Sequence, residues 1–356
     1  MASAQRAEVH QIEPTDIPQV ATFLERQRRP GDAPATGPLD PEQRLSWLLL
    51  ENPARGDDIP LGWCIRDGDG RVTGAMLCVP LRVAATGFDA TALMSCKFFV
   101  DEPHRGLGIG LFMRFLKLGQ RFPLLATSAN AASGALFAQF GGRAIAGTDH
   151  TMLGVRRAVP LAEEWFQRRT HRPALARFLA FPARFAPSRM KIRPGDDAGA
   201  ELIPIAQPDD LRSLQPPPPA AALAVVRDQP WLRWRYFSAD HAAHDLFRFR
   251  CNGEDRLLVT NLIASGYRGR IRVLNVLDVW PPLSAASARA LPALLHERYK
   301  DRFDVIWLRG QPPDVQQALG AAGFISHHFP APLGCCIDRA ALLPARNWYL
   351  MPGESE

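Results

Sequence analysis

A chain of 356 residues, 47% hydrophobic and 22% charged, is globular in composition and long enough for two domains rather than one. Its net charge of +6 is mild, and no basic stripe is interleaved with strand aromatics, which argues against nucleic acid and agrees with a small anionic ligand. No run of about 18 apolar residues is present to span a membrane, and the opening MASAQRAEVHQIEP has no apolar signal core, so the expected location is the cytoplasm.

In chain order, Val9 to Phe23 reads as a strand followed by a helix with Thr15 or Asp16 at its N-cap. A Pro/Gly loop over 30–41 leads to a helix through Arg44–Leu50. Strands are expected at Leu61–Arg66, Val72–Leu81 and Thr91–Val100, with the Asp-Gly-Asp-Gly turn at 67–70 between the first two. The chain then switches at Pro103–Gly110 into a helix reaching about Gln120. Leu124–Ser128 reads as a buried strand, Ala131–Phe140 as a helix and Arg143–Arg156 as a closing hairpin. Residues 158–200 mix arginines with aromatics, and prolines 173, 182, 187 and 194 break any long helix there. This stretch reads as a connector packed between domains, or as a surface for a membrane or an acidic carrier protein. The second half, 201–356, has strands at Leu246–Arg250, Arg256–Ile263, Arg270–Trp280 and Asp304–Leu308, and helices at Ala285–Tyr299 and Pro313–Leu319.

The halves echo each other. RFPLLATSAN (121–130) lies over RFDVIWLRGQ (302–311) at an offset of 181, which also places Gly142 on Gly323. Leu45-Ser46-Trp47 echoes Leu232-Arg233-Trp234 at a different offset. Shared order points to a tandem duplication. The six cysteines have no metal-ligand spacing and sit in apolar contexts, so they read as small buried hydrophobes, and no metal is expected.

The segment that carries chemistry is Phe98-Phe99-Val100-Asp101-Glu102-Pro103-His104-Arg105-Gly106-Leu107-Gly108-Ile109-Gly110. It reads as a strand, a short loop and a helix start. Glycines there let backbone approach a bulky anion, and the helix adds the positive end of its dipole, so a pyrophosphate suits the position. The Gly-Lys-Ser/Thr of a P-loop is absent, and the order R-x-x-G-x-G after an antiparallel meander is not a dinucleotide fingerprint. His104, at the mouth of the loop, reads as a solvated loop residue or a base.

That loop in its context resembles motif A of the GNAT superfamily, the GCN5-related N-acetyltransferases. Thr127-Ser128-Ala129-Asn130 and the helix up to Gly142 resemble the family's next strand and helix, so the likeness covers about residues 62–157. It implies an α/β (α+β) fold of two GNAT-like domains, each a mixed, mostly antiparallel twisted sheet flanked by helices. Residues 1–157 form the acetyl-CoA-binding domain, 158–200 the connector and 201–356 a degenerate copy. By resemblance Phe98, Phe99 and Val100 offer backbone groups to pantetheine, the amides of Arg105, Gly106, Leu107, Gly108, Ile109 and Gly110 hold the pyrophosphate, and Asn130 lies near the pantetheine or thioester. The family often has a tyrosine seven residues after that asparagine as acid for the departing thiolate. Here the position is Phe137, which leaves Ser128, Ser133, Cys96 or water.

The implied activity is acyl transfer from acetyl-CoA or another acyl-CoA to an amine or hydroxyl of a small metabolite, sugar or protein, by direct attack on the thioester. An acyl carrier protein as donor, or a non-catalytic acyl-CoA-binding scaffold, are the alternatives. At the matching offset the loop falls on ASARAL (286–291), so the second half is not expected to grip pyrophosphate. Trp231, Trp234 and Tyr236 suit either a core or a sugar or peptide groove, and the tail 347–356 either docks at the domain interface or frays.

Overall fold

The computed structural model describes residues 7–27, 39–127, 131–145, 150–185, 188, 190, 199–214, 222–238, 244–265, 270–328, 335–339, 341–343, 347–349 and 351. The first half runs β1 (Glu8–Gln11), α1 (Ile17–Arg26), α2 (Pro41–Leu50), β2 (Gly62–Arg66), β3 (Val72–Ala85), β4 (Phe88–Val100), α3 (Arg105–Leu118), β5 (Leu124–Ala126), α4 (Ala131–Gln139), β6 (Arg143–Ala144) and β7 (His150–Val155). Helices α5 (Ala158–Thr170) and α6 (Pro173–Leu179) and a 3-10 turn at Phe181–Phe185 follow. The second half runs β8 (Ala200–Pro204), β9 (Ala222–Val225), α7 (Gln229–Phe237), β10 (Asp245–Cys251), β11 (Glu254–Ser265), β12 (Ile271–Trp280), α8 (Ala285–Tyr299), β13 (Val305–Arg309), α9 (Pro313–Ala321), β14 (Ile325–His328), β15 (Cys335–Ile337) and β16 (Asn347–Tyr349).

Local chemistry explains the element boundaries. Asp40 caps α2, accepting from the Gln43 N–H at 2.8 Å while the Gln43 side chain reaches back to the Asp40 N–H, with Pro41 at the first helical position. Asp228 caps α7 by accepting from the Trp231 N–H. In β3 only Arg82 is exposed, and 13 of its 14 residues are buried, so it reads as a continuous apolar run rather than an alternation. It is the central strand, paired with β2, β4 and, near its end, β9.

Two sheets result, and they share one topology. The first is ordered β1-β2-β3-β4-β5-β15-β6 and the second β8-β10-β11-β12-β13-β7-β14 when written from the other edge. In each, most pairs are antiparallel, and the parallel pair β4–β5 or β12–β13 is joined through α3 or α8. The sixth strand of each sheet comes from the other half. β15 lies between β5 and β6, with Cys336 opposite both Leu125 and Arg143. β7 lies between β13 and β14, with Leu153 opposite both Trp307 and Ile325.

The hairpin expected over Arg143–Arg156 is therefore corrected. β6 and β7 belong to different sheets, and the end of the 1–157 segment completes the second sheet. A duplicated fold has two slots of the same shape, and strand composition does not say which one a strand fills. The exchange covers sheet edges that would otherwise be open.

The duplication is also visible in helix ends. α4 closes with Gly141 in the left-handed region (φ 85°) and the Gly142 N–H on Phe137 O. α9 closes with Gly323 (φ 89°) and the Phe324 N–H on Leu319 O. The turn that matches Gly323 is thus Gly141, one residue from the Gly142 expected by a constant offset.

The halves meet at a reciprocal contact. Trp47 of α2 and Trp234 of α7 stack with ring centroids 4.9 Å apart, and each indole N–H donates to the other's backbone carbonyl at 3.0 Å. Trp231, Trp234 and Tyr236 are all buried, so this cluster is core and not a groove. One hydrophobic core runs through both halves, and a second lies under α3 and α4, built on Phe112, Phe115 and Phe137 with Ile337 from the exchanged strand. The tail docks: β16 pairs in parallel with β9, and the Tyr349 hydroxyl donates to Val279 O at 2.7 Å. Beneath it the Arg227 guanidinium grips the Asp278 carboxylate with both groups fully buried, and the Tyr236 hydroxyl donates to the same carboxylate at 3.0 Å. Burial, and then the charge of Asp278, push the Tyr236 phenol well above its usual range. No described helix is long and apolar enough to cross a membrane.

Candidate acyl-CoA site

The site begins where β4 outruns its parallel partner. Pairing with β5 runs from Leu93 opposite Leu124 to Ser95 opposite Ala126, where β5 ends, while β4 continues to Val100. Between these points β4 bulges. Cys96 lies opposite Leu77 and Phe99 opposite Ala75, so Lys97 and Phe98 together face Met76. Lys97 sits in the left-handed region at φ 49°, a conformation a lysine adopts only when the surrounding strands impose it. Beyond the bulge the Asp101 N–H donates to Thr73 O at 2.8 Å. Alternation along the strand then turns the backbone groups of Phe99 toward β3 and those of Val100 toward the edge that β5 leaves uncovered.

That edge leads into the mouth of α3. A 3-10 turn over Glu102–His104 ties the His104 N–H to Asp101 O, and the Arg105 N–H to Glu102 O. His104 stands at the N-cap without a side-chain cap bond. The amides of Gly106 and Leu107 therefore have no i−4 carbonyl inside the helix, whereas those of Ile109 and Gly110 fall within its ladder. A Cβ on Gly106 would meet nothing within 4 Å, so the side of the helix mouth where a side chain would stand is clear. A Cβ on Gly108 would come within 3.3 Å of Val100 Cγ2 and 3.8 Å of the Phe98 ring. Gly108 thus seats the helix against the splayed end of β4, and Gly106 keeps its mouth clear.

The other expected residues are dispersed. Ser128 and Asn130 lie outside the described residues. Cys96 is buried in β4, and Ser133 is half-buried on α4. Phe137 points into the second core, edge-on to Phe112 with centroids 5.1 Å apart and 6.4 Å from Phe115. The described cysteines are free thiols, and burial pushes those of Cys64 and Cys78 upward, away from nucleophilic use. No cluster of His, Cys, Asp and Glu among the described residues could hold a metal.

No protein-family model and no curated protein sequence matches this chain. Its backbone does match solved structures. A probable N-acyltransferase from Enterococcus faecalis V583 superposes with a TM-score of 0.57 at 11% identity, covering 95% of this chain and 74% of that one. A GCN5-related N-acetyltransferase from Anabaena variabilis gives 0.55 at 12% identity, covering 96% and 75%. Saccharomyces cerevisiae N-myristoyltransferase, solved with myristoyl-CoA bound, gives 0.51 at 10% identity, covering 98% and 86%. The fold is that of the GCN5-related N-acetyltransferases.

Within this tandem GNAT fold the two helix mouths differ. α8 of the second half is closed by its own side chains: Ser284 Oγ accepts from the Ser287 N–H, and the Ser287 hydroxyl accepts from the Ser284 N–H at 2.9 Å. Ala288 and Ala290 fill the space behind it. Only the first GNAT half presents an uncapped mouth with a clear approach. The bulge at Lys97 had no signal in the sequence, because a lysine in the left-handed region is set by strand register and not by residue type. Ile109 and Met113, one turn apart on α3, and Phe99 on β4 are exposed apolar side chains near this mouth that motif reading left unassigned.

Proposed function

We propose that the first half binds acetyl-CoA, or another acyl-CoA, and transfers the acyl group to an amine or hydroxyl. The observation that carries this reading is the junction, among the described residues, of a strand edge at Val100 that β5 does not reach with a helix mouth at Gly106 and Leu107 that no side chain caps. Pantetheine carries amides that complete a strand edge, and pyrophosphate is an anion that completes a helix N-terminus. The two lie in series along β4 and α3, which is the order in which coenzyme A carries them. Phe98, Phe99 and Val100 line the pantetheine arm; the loop from Arg105 to Gly110 holds the pyrophosphate, with the amides of Gly106 and Leu107 as its direct donors.

Chemistry in such a cleft is positioning. The acceptor lone pair attacks the thioester carbon as the acceptor's proton passes to water, the carbonyl oxygen is polarised by backbone N–H at the β4 bulge, and the tetrahedral intermediate expels coenzyme A thiolate. With Phe137 in the core, protonation of that thiolate falls to Ser133 or to water. A second reading, a non-catalytic acyl-CoA binder, is favoured by Phe137 alone.

Titration of coenzyme A into the protein tests binding, and release of free thiol from acetyl-CoA across amine and sugar acceptors tests transfer. Binding with turnover is the expected result. Binding without turnover on any acceptor selects the non-catalytic reading, and no affinity for coenzyme A sinks both.

A further inference from the structure

Within the 158–200 stretch expected as a connector, most residues of 165–185 are exposed. No residue of α5 is buried. α5, α6 and the turn at Phe181–Phe185 pack mainly on one another, and the Glu163–Arg270 pair at 3.8 Å ties the start of α5 to the second sheet. The knob they form exposes Trp165, Leu175, Phe178, Leu179, Phe181 and Phe185, more than half of the large apolar side chains exposed on the described molecule. Phe178 and Phe185 are each 76% exposed. Leu175, Phe178 and Leu179 stand at i, i+3 and i+4 on one face of α6, and the Phe181 and Phe185 rings touch edge-on at 5.6 Å. An apolar patch of this density on a helical projection marks an interaction surface.

The charge is segregated to the same place. Residues 165–185 contain five arginines and no acidic residue, while the whole chain carries a net +6. Five of those six units of excess therefore lie in this short segment. Arg169 lies over the Trp165 ring at 3.8 Å and Arg184 over Phe181 at 5.4 Å, so cations flank the aromatics that protrude. Arg168 is paired with Glu164 at 2.8 Å.

We infer that this knob docks on an anionic phospholipid bilayer, with the aromatic and leucine side chains entering the interface and the arginines at the headgroups. Negative charge on an acidic protein answers the arginines, but charge alone gives Phe178 and Phe185 no apolar partner. A bilayer with anionic headgroups takes both, because its apolar interior lies directly beneath its charge. Long arginine stems reach back to the headgroup plane while the rings between them go deeper. The inference is independent of the acyl-CoA reading, since it uses none of the residues of that site.

The test is flotation of the full chain with vesicles of phosphatidylcholine alone, and of phosphatidylcholine mixed with phosphatidylglycerol. Flotation with the mixed vesicles only, weakening as salt is raised, is expected. Phe178→Ser with Phe185→Ser lowers the partition constant by at least about tenfold, the cost of leaving two rings in water. Arg177→Glu with Arg184→Glu lowers it by a comparable factor, about tenfold or more. Ile325→Ser, an exposed apolar side chain on β14, leaves it unchanged. Circular dichroism melts establish that each variant folds. Absence of flotation overturns the inference, as does flotation that neither double variant weakens. Arginine-dependent binding of an acyl carrier protein without vesicle binding assigns the knob to that partner instead.

Discussion

Substituting Gly106 by Ala separates folding from binding at the α3 mouth. The added Cβ meets no atom within 4 Å, so it carries no steric cost, and φ is in the ordinary helical region. Alanine in place of glycine in a helix is favourable by up to about 1 kcal/mol, and less in a first turn. The melting temperature of the unliganded protein is therefore expected to stay the same or rise by about 1–2 °C. Binding moves the opposite way. A phosphate oxygen within hydrogen-bond reach of the Gly106 amide occupies the space the methyl enters. Loss of one charge-assisted bond of about 1.5–3 kcal/mol raises the Kd for coenzyme A roughly tenfold to a hundredfold. Gly320→Ala is the control: it lies on α9 outside the site, its Cβ would meet nothing within 4 Å, and its affinity is expected to match the wild type. Calorimetric titration with coenzyme A and a thermal melt of each protein decide the matter. A Gly106→Ala protein that binds coenzyme A as tightly as wild type refutes the placement of the pyrophosphate.

Phe137→Tyr is not expected to restore a thiolate acid, because the ring points between Phe112 and Phe115; thiol release stays unchanged, and an unpartnered buried hydroxyl costs about 1–3 kcal/mol in a denaturant melt. Arg227→Met leaves the Asp278 carboxylate buried with only the Tyr236 hydroxyl, and costs about 3–5 kcal/mol in urea unfolding, whereas Arg227→Met with Asp278→Leu loses much less. Burial works to raise Asp304, but bonds from the Arg272 side chain and backbone outweigh it, with Arg157 nearby, and hold the carboxyl below its ordinary value. A depressed folded-state pKa gives stability that is full above the unfolded value near 3.8 and is lost as pH falls through the folded value. Asp304→Asn should lower stability at pH 7 and flatten the loss below pH of about 4, read from melts across that range.

The site was legible in the sequence to the extent that chemistry there depends on local residue type. Glycines at 106 and 108 and the missing tyrosine at 137 are visible without coordinates, and each proves to have a definite spatial consequence. The echo of Leu45-Ser46-Trp47 in Leu232-Arg233-Trp234 is likewise a real equivalence, because the two indoles sit on a shared contact. What depends on long-range pairing was not legible. β9, β15 and β16 are three or four residues long, too short for a periodic signal, and each is a strand only because another part of the chain supplies its partner. The bulge at Lys97 follows from register between β3 and β4, to which no single residue testifies. The knob at 165–185 was visible as composition, but that its aromatics are exposed required the three-dimensional arrangement of the described residues.

The traded sixth strands bear on how such a chain can change over time. One half of a duplicated fold is ordinarily free to drift or be deleted. Here it is not, because removing the second repeat would strip β15 from the first sheet and leave β7 without a home. Damage to either half is felt in both, so each is held to its shape by the needs of its neighbour. Its surface alone is at liberty to acquire new work.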